Sequence, residues 1–171
     1  IGGRPSMCGT CRKGRFSATR NVSACTVCSA GRFSATLNAT VCDECPLGFT
    51  SNDSATVCVA CTEGQYGVFV NASINSSASA DTLVPVCVVC SAGQYNPSTG
   101  KSACVGCPVG TFGTTEGASS FEECPNCFAG YFSNRSQGVT ECTRCEAGQF
   151  ADAEGEFGCG FCVPGWFVAV L

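Results

Sequence analysis

Residues 25–45 read CTVCSAGRFSATLNATVCDEC, that is, a Cys-x-x-Cys pair, a glycine three residues later, and the next Cys-x-x-Cys pair. The arrangement returns along the whole chain, so that all 18 cysteines fall into nine such pairs, each followed by a glycine. Two adjacent units share the segment Gly-Arg-Phe-Ser-Ala-Thr, at 14–19 and again at 31–36. A fixed period of this kind indicates a tandem repeat and decides the fold class.

The composition is that of a disulfide scaffold. The 171 residues include 18 Cys and 21 Gly but one Met and one Trp, so a single large apolar core is not expected. Short β-prone segments such as 39–41 precede the next cysteine pair. We therefore predict a small disulfide-rich, mostly β or irregular fold, an elongated tandem array of short disulfide-closed β-hairpins with almost no helix.

An aromatic residue stands five positions after the second cysteine in eight of the nine units, whereas the third unit has Thr50 there and Phe49 one place early. We expect the aromatic side chain to cover the disulfide. Residues 1–171 are predicted to form one continuous array. Its units are 8–24, 25–41, 42–57, 58–86 (with an insertion, 68–85, predicted as a surface excursion), 87–103, 104–123, 124–141, 142–158 and a partial unit, 159–171.

Disulfide connectivity is not fixed by sequence, since four cysteines already allow three pairings. An interlocked scheme would impose a double period, whereas the repeat has a single one. The single period favours bonding the second cysteine of each pair to the first cysteine of the next. The predicted bridges are Cys11–Cys25, Cys28–Cys42, Cys45–Cys58, Cys61–Cys87, Cys90–Cys104, Cys107–Cys124, Cys127–Cys142 and Cys145–Cys159, which leaves Cys8 and Cys162 to pair outside the segment.

Other chemistry of the Cys-x-x-Cys motif is disfavoured. Zinc ligation is the main alternative, but nine pairs do not divide into four-cysteine sites and the chain has no histidine. The lack of histidine also excludes c-type haem attachment and Ser-His-Asp or Cys-His catalysis. We predict no catalytic residue, no metal site and no cofactor, and hence no enzyme.

The cysteines and the glycosylation motifs both indicate an oxidising compartment, so the protein is expected to be extracellular, either secreted or at the cell surface. N-linked glycans are predicted at the six Asn-x-Ser/Thr sequons, Asn21, Asn38, Asn52, Asn71, Asn75 and Asn134. Asn96 is excluded because Pro97 follows it.

Charge is unevenly distributed. Six basic residues precede the first acidic residue, Asp43, whereas the rest of the chain carries three basic and thirteen acidic residues. Besides solvated surface, this asymmetry indicates a head-to-tail contact with copies of the chain or with further repeats, or an anionic glycan site at the basic end. No nucleic acid partner is predicted. The candidate contact patch is Arg12, Lys13, Arg15, Arg20 and Arg32.

Units such as CVGCPVGTF at 104–112 resemble the ephrin-receptor-like cysteine-rich repeats and, more distantly, modules of the tumour necrosis factor receptor family and Cys-x-x-Cys-rich protist surface proteins. The resemblance implies a role in receptor ectodomains, surface coats or extracellular filaments. The uniform repeats and simple loops favour a non-catalytic structural repeat protein of an extracellular filament, appendage or coat. The alternative is the stalk or ligand-binding ectodomain of a cell-surface receptor or adhesin.

Overall fold

The computed structural model describes residues 8–20, 22–71, 83–135 and 138–167. Each strand pairs with its neighbour in the chain, so the described residues form a series of antiparallel hairpins with a single 3-10 turn, Phe121–Glu123. This confirms the predicted small disulfide-rich, mostly β fold. The strands are β1 Arg15–Phe16, β2 Thr26–Val27, β3 Arg32–Phe33, β4 Asp43–Glu44, β5 Phe49–Thr50, β6 Val59–Ala60, β7 Gln65–Asn71, β8 Leu83–Val89, β9 Gln94–Tyr95, β10 Val105–Gly106, β11 Tyr131–Phe132, β12 Thr143–Arg144, β13 Gln149–Phe150 and β14 Gly160–Phe161.

We number the hairpins one to eight from the N-terminus; the sixth is reduced to one bridge, Thr111 opposite Asn126. Their register is uniform. In the first hairpin, Arg15 lies opposite Val27 and Phe16 opposite Thr26, so the two residues after the glycine face the two residues after the next pair's first cysteine. The same offsets hold in hairpins two, three, five, seven and eight, because the spacing of glycine and cysteine is the same in each unit.

Two backbone hydrogen bonds recur in the hairpins. In the first, the N–H of Arg15 donates to the Arg12 carbonyl (3.1 Å), which closes a turn around the positive-φ glycine, Gly14 (φ 76°). The N–H of Cys28 then donates to the Gly14 carbonyl (2.9 Å), which joins the start of the hairpin to its end. The glycine is therefore the corner of every unit.

Disulfides join the second cysteine of one pair to the first cysteine of the next. The Cα atoms of these bridges are 5.7 to 5.8 Å apart, within the usual range for a disulfide. Cys61 and Cys87 are also disulfide-bonded, and Cys8 and Cys162 carry free thiols. Seven bridges of this kind are Cys11–Cys25, Cys28–Cys42, Cys45–Cys58, Cys90–Cys104, Cys107–Cys124, Cys127–Cys142 and Cys145–Cys159.

Cystine sulfur forms most of the described core. Cys28, Cys90 and Cys127 are completely buried, and most other second cysteines of the pairs are nearly so. Large apolar side chains stay at the surface; Val57 and Phe128, for example, are 63% and 66% exposed. Covalent closure thus replaces the burial of aliphatic side chains, as expected in a chain so poor in them.

Neighbouring hairpins are joined by a recurring set of three backbone hydrogen bonds. Between the second and third hairpins, the corner glycine and the residue three positions after it each donate a backbone N–H to the third hairpin, and the buried cysteine accepts through its carbonyl. These bonds are Gly31 N–H to Ser51 O (3.0 Å), Ser34 N–H to Ala55 O (3.1 Å) and Ser54 N–H to Cys28 O (2.7 Å). The sixth and seventh hairpins are joined by the equivalent bonds Gly110 to Ser133 (2.8 Å) and Gly113 to Val139 (2.9 Å), and the seventh and eighth by Gly155 to Cys127 (2.9 Å).

The residue after the aromatic is small and is buried between neighbouring hairpins. Ser34, Ser51 and Ser133 are 2%, 6% and 4% exposed. Asn96 takes this position in the fifth hairpin, where it is 1% exposed and its Nδ2 donates to the Gln65 carbonyl (2.5 Å). The aromatic side chain itself is only half-buried in most units, as Phe16 and Phe33 show. Small polar residues, more than aromatics, therefore fill the space at the hairpin junctions.

The insertion lengthens the fourth hairpin. Strands β7 and β8 have seven residues each, whereas the other strands have two. Thr50, which replaces the aromatic in the third unit, donates from its Oγ1 to the Pro85 carbonyl (2.8 Å). The predicted excursion at 68–85 thus begins and ends as paired strand, and its middle, 72–82, lies outside the described residues.

The chain divides into two compact units. One comprises residues 1–60 and 67–87, and the other 61–66 and 88–171. The first contains hairpins one to three and most of the fourth. The second contains hairpins five to eight, and the interpretation of all nine sequence units as one continuous array stays a prediction.

Glycines at the hairpin corners also touch the hairpin two further on. A Cβ atom on Gly14 would lie 2.1 Å from the carbonyl oxygen of Ser54, and one on Gly110 would lie 2.0 Å from that of Gly155. A carbon and an oxygen cannot approach so closely, so the backbones would have to separate. Glycine is required at these corners both by its positive φ and by this contact.

Replacing Gly110 with alanine should destabilise the chain more than replacing Gly148. Both glycines have φ near 80°, which costs an alanine about 1 to 2 kcal/mol, but a Cβ on Gly148 meets nothing within 4 Å. We expect Gly110→Ala to lower the free energy of unfolding by about 1 to 3 kcal/mol more than Gly148→Ala, the usual penalty for forcing packed groups apart. Calorimetric melting of the oxidised variants measures the difference, and equal melting temperatures would contradict the contact.

Candidate functional site

The predicted basic patch is divided by the structure. Arg12, Lys13, Arg15 and Arg20 are exposed, whereas Arg32 forms an ion pair with Glu44. Arg15 donates from Nη1 to the Cys25 carbonyl (3.2 Å) and remains positively charged. The first hairpin thus presents four cations, and within the described residues none of them forms an ion pair.

The opposite strand explains the difference between Arg15 and Arg32. Both occupy the first strand position of their hairpins, but Arg15 lies opposite Val27 and Arg32 opposite Glu44. Cross-strand neighbours directly opposite each other are close enough for side chains to interact. Glu44 therefore neutralises Arg32, while Val27 leaves Arg15 free to meet another anion.

Acidic side chains collect in the loop of the eighth hairpin, between β13 and β14. Asp152 and Glu154 are exposed and Glu156 is half-buried, and in the part of the chain that the structure describes they form no ion pair. Exposed carboxylates of this kind give a solvated negative surface. The first and eighth hairpins thus carry opposite charge.

Four of the six sequons fall on described residues. Asn38, Asn52, Asn71 and Asn134 are exposed, while Asn21 and Asn75 lie outside the described residues. Asn38 has a positive φ of 59° and donates from its backbone N–H to the Cys11 carbonyl (2.9 Å), so its side chain is free for modification. The asparagine that Pro97 excludes as a sequon, Asn96, is buried.

The free cysteines lie near the two ends of the described chain. Cys8 is exposed and Cys162 is half-buried. Beside Cys162 is an open apolar groove of 350 Å³, lined also by Phe150, Phe161, Val163, Trp166 and Phe167. Trp166 and Phe167 are 76% and 85% exposed, which is unusual for aromatic side chains that lie next to each other.

The bonding of the cysteines bears on the zinc alternative. Sixteen cysteines are in disulfides, so their sulfurs are not the thiolates that zinc binds. Across residues 8–20, 22–71, 83–135 and 138–167, no group of three or more Cys, His, Asp or Glu side chains is arranged to hold a metal ion. No helix in these same segments has the length and apolar character needed to cross a membrane.

Sequence reasoning missed the buried position after the aromatic. Ser34, Ser51, Asn96 and Ser133 hold neighbouring hairpins together, although none has a chemistry that attracts attention as a site. The signal was present, because a small residue or asparagine occupies this position in the first eight units. Only the packing of neighbouring hairpins in the structure shows that this position lies at the junction between them.

Part of the chain matches a known protein family. Residues 78–124 match the family described as tyrosine-protein kinase ephrin type A/B receptor-like. Together with the repeated disulfide-bonded units, this match shows a cysteine-rich, ephrin-receptor-like repeat, which is a non-catalytic type of extracellular domain. No curated protein matches the chain significantly.

The four free cations should account for any binding to an anionic polysaccharide. Neutralising Arg12, Lys13 and Arg15 to glutamine should lower the salt concentration at which the chain elutes from immobilised heparin, because each lost cation removes a contact with a sulfate. The double variant Arg32→Gln, Glu44→Gln removes a neutral pair and should elute like the parent chain.

Lys101→Gln provides the matched control, since Lys101 is exposed but lies in the fifth hairpin. A shift caused equally by Lys101→Gln and by a single substitution in the first hairpin would mean that retention reflects net charge. That result would contradict a localised patch.

Proposed function

We propose that this array of ephrin-receptor-like, cysteine-rich repeats is a structural protein of an extracellular filament, appendage or surface coat. The observation that carries the proposal is the repetition of one junction. Hairpins of both compact units use the same backbone hydrogen bonds, such as Gly31 to Ser51 and Gly110 to Ser133 (2.8 to 3.0 Å), to hold the next hairpin. A solenoid-like array of this kind extends by adding units and depends little on loop sequence.

The disulfides support a role outside the cell. Each bridge closes a loop of roughly 15 residues, which in the loop-entropy model stabilises the folded chain by about 3 kcal/mol. Disulfides in this number are typical of proteins in an oxidising compartment. Stability that does not depend on a large core suits a protein exposed to changing salt and temperature.

N-linked glycosylation is part of the proposal. The sequon asparagines Asn38, Asn52 and Asn134 are exposed, and within the described part of the chain only the backbone of Asn38 bonds a neighbouring hairpin, so a glycan on each side chain would extend into solvent. Glycans on repeated units would give a coat or filament a hydrated surface.

A receptor stalk or ligand-binding ectodomain is the second candidate. The four free cations of the first hairpin favour it, because they form a differentiated surface on an otherwise repetitive chain. An anionic glycan of the cell surface or matrix is the ligand that such a patch would take.

Electron microscopy of native material, before and after reduction, tests the structural role. We expect regular filaments or sheets that lose order when a reductant opens the disulfides, since the bridges supply most of the core. Alkylated, unreduced material is the control for the effect of handling. Discrete particles that stay monomeric over a wide range of salt and protein concentration would contradict the proposal.

Glycosylation can be tested without disturbing the fold. Thr40→Ala destroys the sequon of Asn38 but keeps the asparagine, whose positive φ the backbone requires. In chain secreted from a eukaryotic host, we expect mass spectrometry to find a glycan on Asn38 of the parent and none on Asn38 of Thr40→Ala. Thr36→Ala is the matched control, and an unmodified Asn38 in the parent chain would contradict the assignment.

A further inference from the structure

Asn96 is the most deeply buried polar residue of the described chain. It is 1% exposed and is the largest of the described side chains that are fully buried. Its backbone N–H donates to the Ala118 carbonyl (3.0 Å), and its own carbonyl accepts from the N–H of Gly64 (2.9 Å). These residues belong to one compact unit, 61–66 and 88–171. Through Asn96, the fifth hairpin is bonded to the corner of the fourth and to the loop of the sixth.

The side-chain amide of Asn96 is bonded through both of its polar atoms. Nδ2 donates to the Gln65 carbonyl (2.5 Å), and Oδ1 accepts from the backbone N–H of Ser98 (3.4 Å). Ser51 makes the corresponding bond in the third hairpin, because its Oγ donates to the carbonyl of Arg32, the residue after the preceding corner glycine (3.1 Å). Asparagine therefore does at the fifth hairpin what serine does at the third.

Asparagine at this position carries a chemical hazard that serine lacks. Ser98 stands two residues after Asn96, so residues 96–98 would be a glycosylation sequon if any residue other than proline stood between them. N-linked sugar is transferred in the secretory pathway to a chain that has not yet finished folding. Burial of Asn96 in the finished hairpin therefore gives no protection, and the residue at position 97 decides whether the sugar is added.

Other units avoid the same hazard through the residue at the junction itself. Ser17, Ser34 and Gly113 each follow the aromatic of their unit, and each has threonine two residues further on. An asparagine at any of these three positions would complete a sequon. The fifth unit alone has asparagine after its aromatic, and there proline follows directly.

Packing does not require proline at position 97. The side chain of Pro97 is exposed. Ala35, Asn52 and Asn134 hold the same position in other hairpins, and all three are exposed as well. Alanine at position 97 therefore fits the fold, and it removes only the restriction that proline places on the unfolded chain.

We propose that Pro97 keeps N-linked sugar off the buried junction of the fifth hairpin, so that Asn96 is a glycosylation site blocked by the residue that follows it. The blocked step is the transfer of an oligosaccharide from a lipid-linked diphosphate to Nδ2 of Asn96. The bond from sugar C1 to the diphosphate oxygen breaks, C1 bonds to Nδ2, one Nδ2 proton is lost, and the lipid diphosphate leaves with the electron pair. The inference rests on the N-linked glycosylation proposed above and not on the filament or coat role.

A sugar on Asn96 would prevent the junction from closing. Nδ2 lies 2.5 Å from the Gln65 carbonyl oxygen, and Ala118, which bonds the Asn96 backbone, is itself only 3% exposed. An oligosaccharide at Nδ2 is far larger than this space, so the fifth hairpin would separate from its neighbours. Asn38 and Asn52, in contrast, are exposed and have room for a glycan.

Pro97→Ala in the full chain, secreted from a eukaryotic host, tests the proposal. Mass spectrometry of both the cell-retained and the secreted chain should find a glycan on Asn96 of Pro97→Ala and none on Asn96 of the parent. Enzymatic release of the glycan converts the asparagine to aspartate, which marks the site. We expect the glycosylated variant to be lost from the medium, because a chain whose junction cannot close is retained in the cell.

The double variant Pro97→Ala, Ser98→Ala is the matched control. It has the same alanine at position 97 but no sequon, and it keeps the backbone N–H that bonds Oδ1 of Asn96. We expect it to be secreted like the parent. If the double variant is retained in the cell as well, the fold needs the proline for its own sake and the proposal is overturned.

The second hairpin allows the same block to be built at another junction. Ser34 is 2% exposed and is followed by Ala35 and Thr36, so Ser34→Asn completes a sequon at a buried position. We expect a glycan at position 34 of this variant and none when Ala35→Pro is added. Equal glycan occupancy at position 34 in the two variants would overturn the proposal.

Asn38, measured in the same samples, separates this proposal from the glycosylation on which it rests. An unmodified Asn96 in Pro97→Ala beside a glycosylated Asn38 overturns the blocked site alone. The absence of a glycan from every sequon overturns the glycosylation proposed above together with it. A glycosylated Asn96 in a chain that is secreted and melts like the parent would show that the sugar does not disturb the junction, and would also overturn the proposal.

Discussion

The disulfide between the second cysteine of one pair and the first of the next is the interaction on which the fold depends. It closes each hairpin and also forms most of the hydrophobic core. The cystine sulfurs are buried where other small domains bury aliphatic side chains. With the hairpin closed covalently, strands of two residues suffice to hold it. The remaining backbone groups, which a larger sheet would pair, are then free to bond the next hairpin.

Closure of each hairpin by its disulfide explains why polar residues are buried where hydrophobic residues would be expected. Ser34 and Asn96 lie between hairpins whose backbones come close, and a large side chain there would separate them. Their polar atoms bond nearby carbonyls, such as that of Gln65, so burial leaves no described side-chain donor or acceptor without a partner. Close packing of backbones, more than of side chains, holds successive units together.

Much of the fold could be predicted from the sequence because the period of the Cys-x-x-Cys repeat determines the hairpins. The spacing of cysteine and glycine gives the hairpins and the corner glycine, for these are local consequences of one unit. What depends on two units at once could not be predicted. That Glu44 neutralises Arg32 while Val27 leaves Arg15 free requires the cross-strand register, and the contact of Gly14 with Ser54 requires the placement of a hairpin two units away. The same holds for Thr50, whose hydrogen bond to the Pro85 carbonyl depends on where the fourth hairpin lies.

The corner glycine that touches the hairpin two further on has a consequence for how such a chain changes in evolution. Where the corner meets loop backbone, as Gly14 meets Ser54 and Gly110 meets Gly155, the contact does not depend on the side chains of the neighbouring unit. Duplication or deletion of a whole unit of this type therefore keeps such contacts, whereas a shift of a single residue within a unit breaks contacts with its neighbours. The number of units can therefore change in evolution, whereas the number of residues between the cysteine pair and the corner glycine cannot.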